Sequence, residues 1–150
     1  MAALTPGTAA PPVPGVDFSR GPLTVFFYKV TCPVCQMAAP KAQRFEGAYP
    51  GGIVGVGQDP EDKLTAFDGA FGMSFPHLSD SPPYELSDAY GIRVVPTTFL
   101  VGTDGTILGS VESWDRDGLN ALSARLAELA GAPYVPISER GDGLPPFRPG

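Results

Sequence analysis

The stretch Leu23-Thr24-Val25-Phe26-Phe27-Tyr28-Lys29-Val30-Thr31-Cys32-Pro33-Val34-Cys35-Gln36-Met37-Ala38-Ala39-Pro40 decides how this chain of 150 residues is read. Positions 23–28 are aromatic or aliphatic with a single Thr, the pattern of a strand buried on both faces, and Gly21-Pro22 marks its start. From Pro33 onward, alanines and long unbranched side chains favour a helix, with Pro33 in the first turn where its missing N–H costs nothing. Pro40 falls inside the helical pattern and predicts a kink. Between strand and helix stand Cys32 and Cys35, the only cysteines of the chain. Two-residue spacing lets both sulfurs meet across one helical turn. Cys32 would lie at the helix N-terminus, where unpaired N–H groups and the dipole favour a thiolate. Cys35, one turn in, is shielded and suited to resolve a mixed disulfide from behind.

Outward from this junction the chain alternates strand and helix. Gly52-Ile53-Val54-Gly55-Val56-Gly57 reads as a second buried strand whose glycines suggest close approach by a neighbouring backbone. Asp59-Pro60-Glu61-Asp62 predicts a helix start with Asp59 as cap, and that helix carries Leu64, Phe67 and Phe71 toward the core. Phe75-Pro76-His77-Leu78 fits a short edge strand, and Ser81-Pro82-Pro83 opens a short helix ending at Gly91. Ile92 to Val101 reads as a strand with Pro96 near its entrance, and Asp104-Gly105 as a hairpin turn leading into a strand from Ile107 to Val111. A closing helix places Leu119, Leu122, Leu126 and Leu129 on one face, with Asp115 and Asp117 at its positive end and Gly131 and Pro133 at its stop. This order predicts an α/β fold with a central mixed β-sheet flanked by helices.

Composition narrows the function. With 43% apolar residues the chain can bury one sizeable core. A formal net charge of −6 argues against nucleic acid or an anionic membrane as main partner. No apolar run reaches the roughly 18 residues of a membrane span. Proline and glycine fill 15 of the 36 positions in residues 1–16 and 131–150, but 22 of the 114 between them. The chain therefore divides into a Pro-rich tail (1–16), a globular domain (17–130) and a Pro/Gly-rich tail (131–150), the last with Tyr134, Val135 and Phe147 as docking anchors. The opening residues lack a basic start and an apolar run, so the expected compartment is the cytoplasm, or an exported one if the chain is trimmed.

The CxxC pair reads as redox-active in a reducing compartment. Zinc would need about four ligands, and a single histidine, His77, remains, so no metal site is expected. The glycines of 51–57 lie within a strand and cannot cradle a phosphate. Glu61 and Asp62 form a helix-start acid cluster, His77 reads as an edge-strand residue, and Trp114 as packing against the final helix.

Leu23–Tyr28 before Thr31-Cys32-Pro33-Val34-Cys35, Pro40 after it, and Val95-Pro96-Thr97-Thr98-Phe99 followed by Asp104-Gly105 resemble the thioredoxin superfamily over roughly residues 20–130. The added helix and strand around 60–80 are most similar to its TlpA/ResA and peroxiredoxin-like branch. The resemblance implies a thioredoxin-like fold and a thiol–disulfide oxidoreductase that contributes to redox homeostasis and antioxidant defence. It assigns Cys32 as nucleophile and Cys35 as resolving thiol, with no cofactor, because the electrons reside in the two sulfurs. It makes Val95-Pro96 a cis peptide beside the pair, with the Val95 backbone receiving a substrate strand. Thr31 and Pro33 flank Cys32 as further substrate contacts. The implied partners are a disulfide-containing protein or small molecule and a dithiol donor, around a monomer.

Departures from the family pattern carry weight of their own. Many relatives have Trp before the first Cys, where this chain has Thr31. A buried acid six residues before that Cys is replaced by Phe26, and a Glu three residues after the second Cys by Ala38. Proton handling is left to water, Lys29 or Thr31. A peroxidase would resemble Pro-x-x-x-Thr-x-x-Cys, which neither cysteine satisfies; Arg93 lies close to the activating-arginine position without matching it. A thioredoxin-like interaction module without activity is the non-enzymatic alternative. Pro33-Val34 brings no charge between the cysteines, which places the expected potential nearer the reducing end of the family, about −270 mV.

Overall fold

The computed structural model describes residues 3–150. Its elements run β1 (Leu23–Tyr28), α1 (Pro33–Ala48), β2 (Ile53–Gly57), α2 (Glu61–Phe71), β3 (His77–Ser79), α3 (Glu85–Ala89), β4 (Thr97–Val101), β5 (Ile107–Glu112), β6 (Trp114–Asp115), α4 (Arg116–Ala130) and β7 (Phe147–Arg148). Five strands form one mixed sheet in the order β3-β2-β1-β4-β5. β1 pairs parallel with β2 and antiparallel with β4, so it sits at the centre. That position explains its sequence: all six residues are buried, and neither face can carry a polar side chain cheaply.

Alternation along β1 splits the core in two. Phe26 and Tyr28 join α1, α2 and α4 through Ala38, Phe45, Phe67 and Leu122, whereas Val25 and Phe27 meet Tyr90, Phe99 and Val101 on the opposite face. The N-terminal segment covers that second face. Gly7 and Thr8 exchange backbone bonds with Ile107 at 2.8 and 2.9 Å, and Val13 is buried there. The other tail lies over the first face: Ile137 is fully buried and Ser138 nearly so. Tyr134 and Phe147, expected to anchor this tail, are 50% and 55% exposed. Backbone bonds hold the segment around Val135 instead, with its N–H on the Tyr49 hydroxyl at 3.1 Å and its carbonyl receiving the Ser123 hydroxyl at 2.6 Å.

Several elements differ from the sequence expectation for local reasons. β4 begins at Thr97, not Ile92. Pro96 has no N–H to give a ladder, the Ile92 N–H returns to the Ser87 carbonyl, and the Thr97 hydroxyl folds back onto the Val94 carbonyl at 2.8 Å. Pro60, rather than Asp59, is the cap residue of α2. The glycines of β2 make room for side chains rather than a backbone: a β-carbon at Gly57 would collide with Leu64. Leu129, expected on the same face as Leu119, Leu122 and Leu126, lies in the last turn of α4 and is 41% exposed, whereas the other three are buried. Among the described residues no helix is long and apolar enough to cross a membrane.

Candidate active site

The two cysteines stand where β1 hands the chain to α1. Cys32 is the cap residue of α1, in extended backbone, with Pro33 in the first helical turn. Its sulfur accepts the Cys35 N–H at 3.2 Å, so the side chain does for this helix what a Ser or Asp cap does elsewhere. Cys32 is half-buried and Cys35 wholly buried. Thr31 and Pro33 are exposed on either side of Cys32. Cys32 is therefore the more accessible cysteine, with Cys35 one turn behind it.

Across the site runs the segment before β4. The Val95–Pro96 peptide is cis. The Cys32 thiol lies 3.5 Å from the Val95 carbonyl, as donor to it. Val95 is half-buried and Pro96 buried. All six residues singled out from the sequence, Cys32, Cys35, Thr31, Pro33, Val95 and Pro96, thus lie in or directly beside one site.

Two residues the sequence reading did not assign here hold the approach to Cys32. The Asp59 carboxylate accepts the Val30 N–H at 2.8 Å, and the Gln36 amide donates to the Val30 carbonyl at 2.8 Å. Both backbone polar groups of one residue, two positions before Cys32, are thereby fixed. Asp59 leaves its expected capping role because this N–H would otherwise lack a partner. The motif around Asp59 signals a helix start, and nothing local reveals a partner 29 residues away.

The electrostatics separate the thiols. Burial pushes the Cys35 thiol far up from its ordinary value, and the hydrogen bond to Cys32 and the Asp59 charge add to that. Lys29, considered as a proton donor, instead places its ammonium 5.6 Å from the centre of the Tyr84 ring. Between α1 and the sheet, Phe26, Ala38, Phe45, Leu119, Thr98 and Ser113 border a void of about 10 Å³, at the lower bound for one water molecule. Phe26 itself is buried, so its position carries an aromatic ring and no carboxylate.

The remaining candidates lie elsewhere. His77, on β3, is held between Asp68 and Glu61, each 2.6 Å from a ring nitrogen. Arg93 makes a two-pronged pair with Glu112, 2.8 Å on each arm. Among the described residues no three His, Cys, Asp or Glu side chains gather as metal ligands. A cleft of about 810 Å³ opens between the Asp17–Leu23 segment and Tyr49–Ile53, at the opposite end of β1 from the cysteines.

Comparison with known proteins places this geometry. Residues 9–109 match the AhpC/TSA family. The thiol-disulfide oxidoreductase ResA of Halalkalibacterium halodurans is 33% identical over 86 residues, which cover 55% of this chain and 48% of that protein. The chain thus spans about half the length of the curated relative it matches. Among solved structures, the thioredoxin domain of a thiol-disulfide oxidoreductase from Bacteroides vulgatus superposes with a TM-score of 0.70 at 20% identity, covering 83% of this chain and 99% of that one. A secreted Mycobacterium tuberculosis disulfide oxidoreductase homologous to DsbE superposes at 0.64 and 23% identity, covering 85% and 96%. At these identities the structural likeness establishes the fold, a thioredoxin-like α/β domain with a central mixed sheet.

Proposed function

The chain belongs to the AhpC/TSA family, and on that premise we propose that it is a thiol–disulfide oxidoreductase working through Cys32 and Cys35. One observation carries the reading: Cys32 caps α1 and is only half-buried, while Cys35 is buried one turn on with its N–H on the Cys32 sulfur. The ResA relative supports the same activity.

In the reductive direction the Cys32 thiolate attacks one sulfur of a substrate disulfide. The substrate S–S bond breaks, and its second sulfur leaves as a thiolate that takes a proton from water. Cys35 then loses its proton and attacks the Cys32 sulfur. The mixed disulfide breaks, the second substrate thiol departs, and a Cys32–Cys35 disulfide forms. Two electrons have passed from the pair to the substrate, and a dithiol donor restores the pair. Val95 offers its backbone to an extended substrate segment, with Thr31 and Pro33 on the near wall. A peroxidase reading gains no support from the site, since Arg93 is committed to Glu112 and no threonine stands three residues before either cysteine.

Trapping tests this. Cys35→Ser, mixed with a disulfide-bonded peptide, should accumulate a mixed disulfide at Cys32 that mass spectrometry locates. Absence of that adduct, with the unaltered chain also failing to reduce the peptide, refutes the activity.

A further inference from the structure

The segment Leu144–Gly150 leaves the globular body and returns to the active site. Its root is firmly held. The Trp114 indole N–H donates to the Pro145 carbonyl at 2.7 Å, and the Arg116 N–H to the Pro146 carbonyl at 3.0 Å. Upstream, fully buried Ile137 anchors the segment in the core. Beyond the root, β7 pairs with β6 in a two-residue ladder, Trp114 opposite Arg148 and Asp115 opposite Phe147. The Gly150 N–H then donates to the Ser113 hydroxyl at 3.0 Å.

There Gly150 lies directly on the Val95 carbonyl. A β-carbon at this position would collide with that oxygen and crowd the Pro96 ring. The Cys32 thiol points to the same carbonyl at 3.5 Å from its own side. The backbone group that an extended substrate would use is thus already in contact with the chain's own tail. The tip is built to lift: Phe147 is 55% exposed, Arg148, Pro149 and Gly150 are exposed, and a two-residue ladder is marginal by itself.

We propose that Leu144–Gly150 is a specificity-determining strap that shares the Val95 edge with substrate, so that the resting site admits compact disulfides and turns away extended protein segments until the strap lifts. This deepens the oxidoreductase reading and rests on it only for the use of the Val95 edge. The selection is steric. A small disulfide needs only the solvent-facing side of Cys32, whereas a strand pairing with Val95 needs the space in which Gly150 lies.

Two variants lift the tip by different means while leaving Pro145, Pro146 and the tail root in place. A stop at position 147 removes Phe147–Gly150, and Gly150→Val drives a side chain against the Val95 carbonyl. Alkylation of Cys32 measures access without turnover: iodoacetamide as the compact probe, and an iodoacetyl peptide of about ten residues, at roughly 3.3 Å per residue, as the extended one. Both variants should raise the peptide-to-iodoacetamide rate ratio about fivefold, as for a strap lifted in about a fifth of resting molecules. An unchanged ratio in both variants, or an equal rise for both probes, overturns the strap as a selector. If truncation impairs folding, Gly150→Val alone decides. A chain that shows the ratio change yet reduces no disulfide sustains the strap and refutes the oxidoreductase reading.

Discussion

At the scale of single residues, the site divides labour between an accessible cysteine and a buried one, and the consequences are kinetic. Cys35 should alkylate far more slowly than Cys32 in the reduced protein, because its sulfur is wholly buried; peptide mapping after iodoacetamide treatment checks this, and faster labelling at Cys35 would reverse the roles. Burial, first of all, holds the Cys35 thiol above its ordinary value of 9.0, so at neutral pH it is protonated in the mixed disulfide. Raising the pH therefore favours the attacking thiolate, and resolution should quicken continuously from about pH 6 to 9. Stopped-flow decay of a preformed mixed disulfide reads this step; a flat profile would mean that something other than Cys35 ionisation limits it. Asp59 tunes the same thiol from a second direction. Asp59→Ala strands the Val30 N–H and should cost about 1–3 kcal/mol of stability in denaturant titration. Asp59→Asn keeps an acceptor there and should recover most of that loss, while removing the charge that raises Cys35 should shift resolution to lower pH. Cys32 and Cys35 stand out in the sequence by their two-residue spacing, whereas Val95 and Pro96 were singled out only through the resemblance to the thioredoxin superfamily. Asp59 and Gln36 were not, since each serves a backbone group of Val30 that carries no side-chain signature.

Among the elements, β1 and α1 follow from sequence with little ambiguity, because a run buried on both faces and an alanine-rich helix have few alternatives. The extent of β4 was less legible: β-branched residues continue back to Ile92, but strand pairing needs N–H donors and Pro96 removes one at the boundary. Capping follows the same lesson, for Asp59 has the right type at the right place and serves Val30 instead. The edge of the sheet shows what composition alone leaves open. His77 on β3 is tied to α2 through Asp68 and Glu61, and their side chains are 12%, 19% and 66% exposed respectively. Desolvation lowers its pKa, but the hydrogen bonds to Glu61 and Asp68 outweigh it, so the net direction is upward from 6.5. A raised value means that protonated His77 contributes stability below its ordinary pKa, and the contribution fades as pH rises through the raised one. His77→Asn should therefore cost more at pH 5.5 than at pH 9. The larger loss should be about 1–2 kcal/mol, since Asp68 is part-buried and Glu61 mostly exposed. Paired thermal melts at the two pH values measure it, and equal losses would show that the ring acts by packing alone.

For the molecule as a whole, the two Pro-rich tails are structural covers, and they show most clearly where sequence reading stops. Their composition marks them as irregular, yet irregular backbone packs wherever its polar groups find partners, and those partners lie far away in sequence. Each tail covers one face of the sheet: Val13 lies with Phe27 and Phe99, and Ile137 with the Phe26 side. The C-terminal cover is organised around Asp142, whose carboxylate receives the Ser138 hydroxyl at 2.6 Å, the Leu144 N–H at 3.0 Å, the Glu139 N–H at 3.2 Å and the cations Lys41 and Arg116 at 3.2 and 3.3 Å. The Ser138 hydrogen bond above all, with the backbone donors and Lys41 assisting, holds this carboxyl well below its ordinary 3.8 against the opposing cost of burial. A depressed carboxyl contributes stability above its ordinary value, and that contribution is lost only as pH falls through the depressed one. The cover should therefore stay seated across the neutral range and through mild acid. Trp114, the only tryptophan in the chain, reports on it directly, because it is fully buried and its indole N–H rests on Pro145. Asp142→Ala should move Trp114 emission to longer wavelength at pH 7, as the tail loosens and water reaches the ring. The unaltered chain should keep its short-wavelength emission down to about pH 4, just above the ordinary 3.8 of the Asp142 carboxyl. Identical spectra for the two proteins at pH 7 would show that the cover is held by Ile137 and its neighbours without the carboxylate.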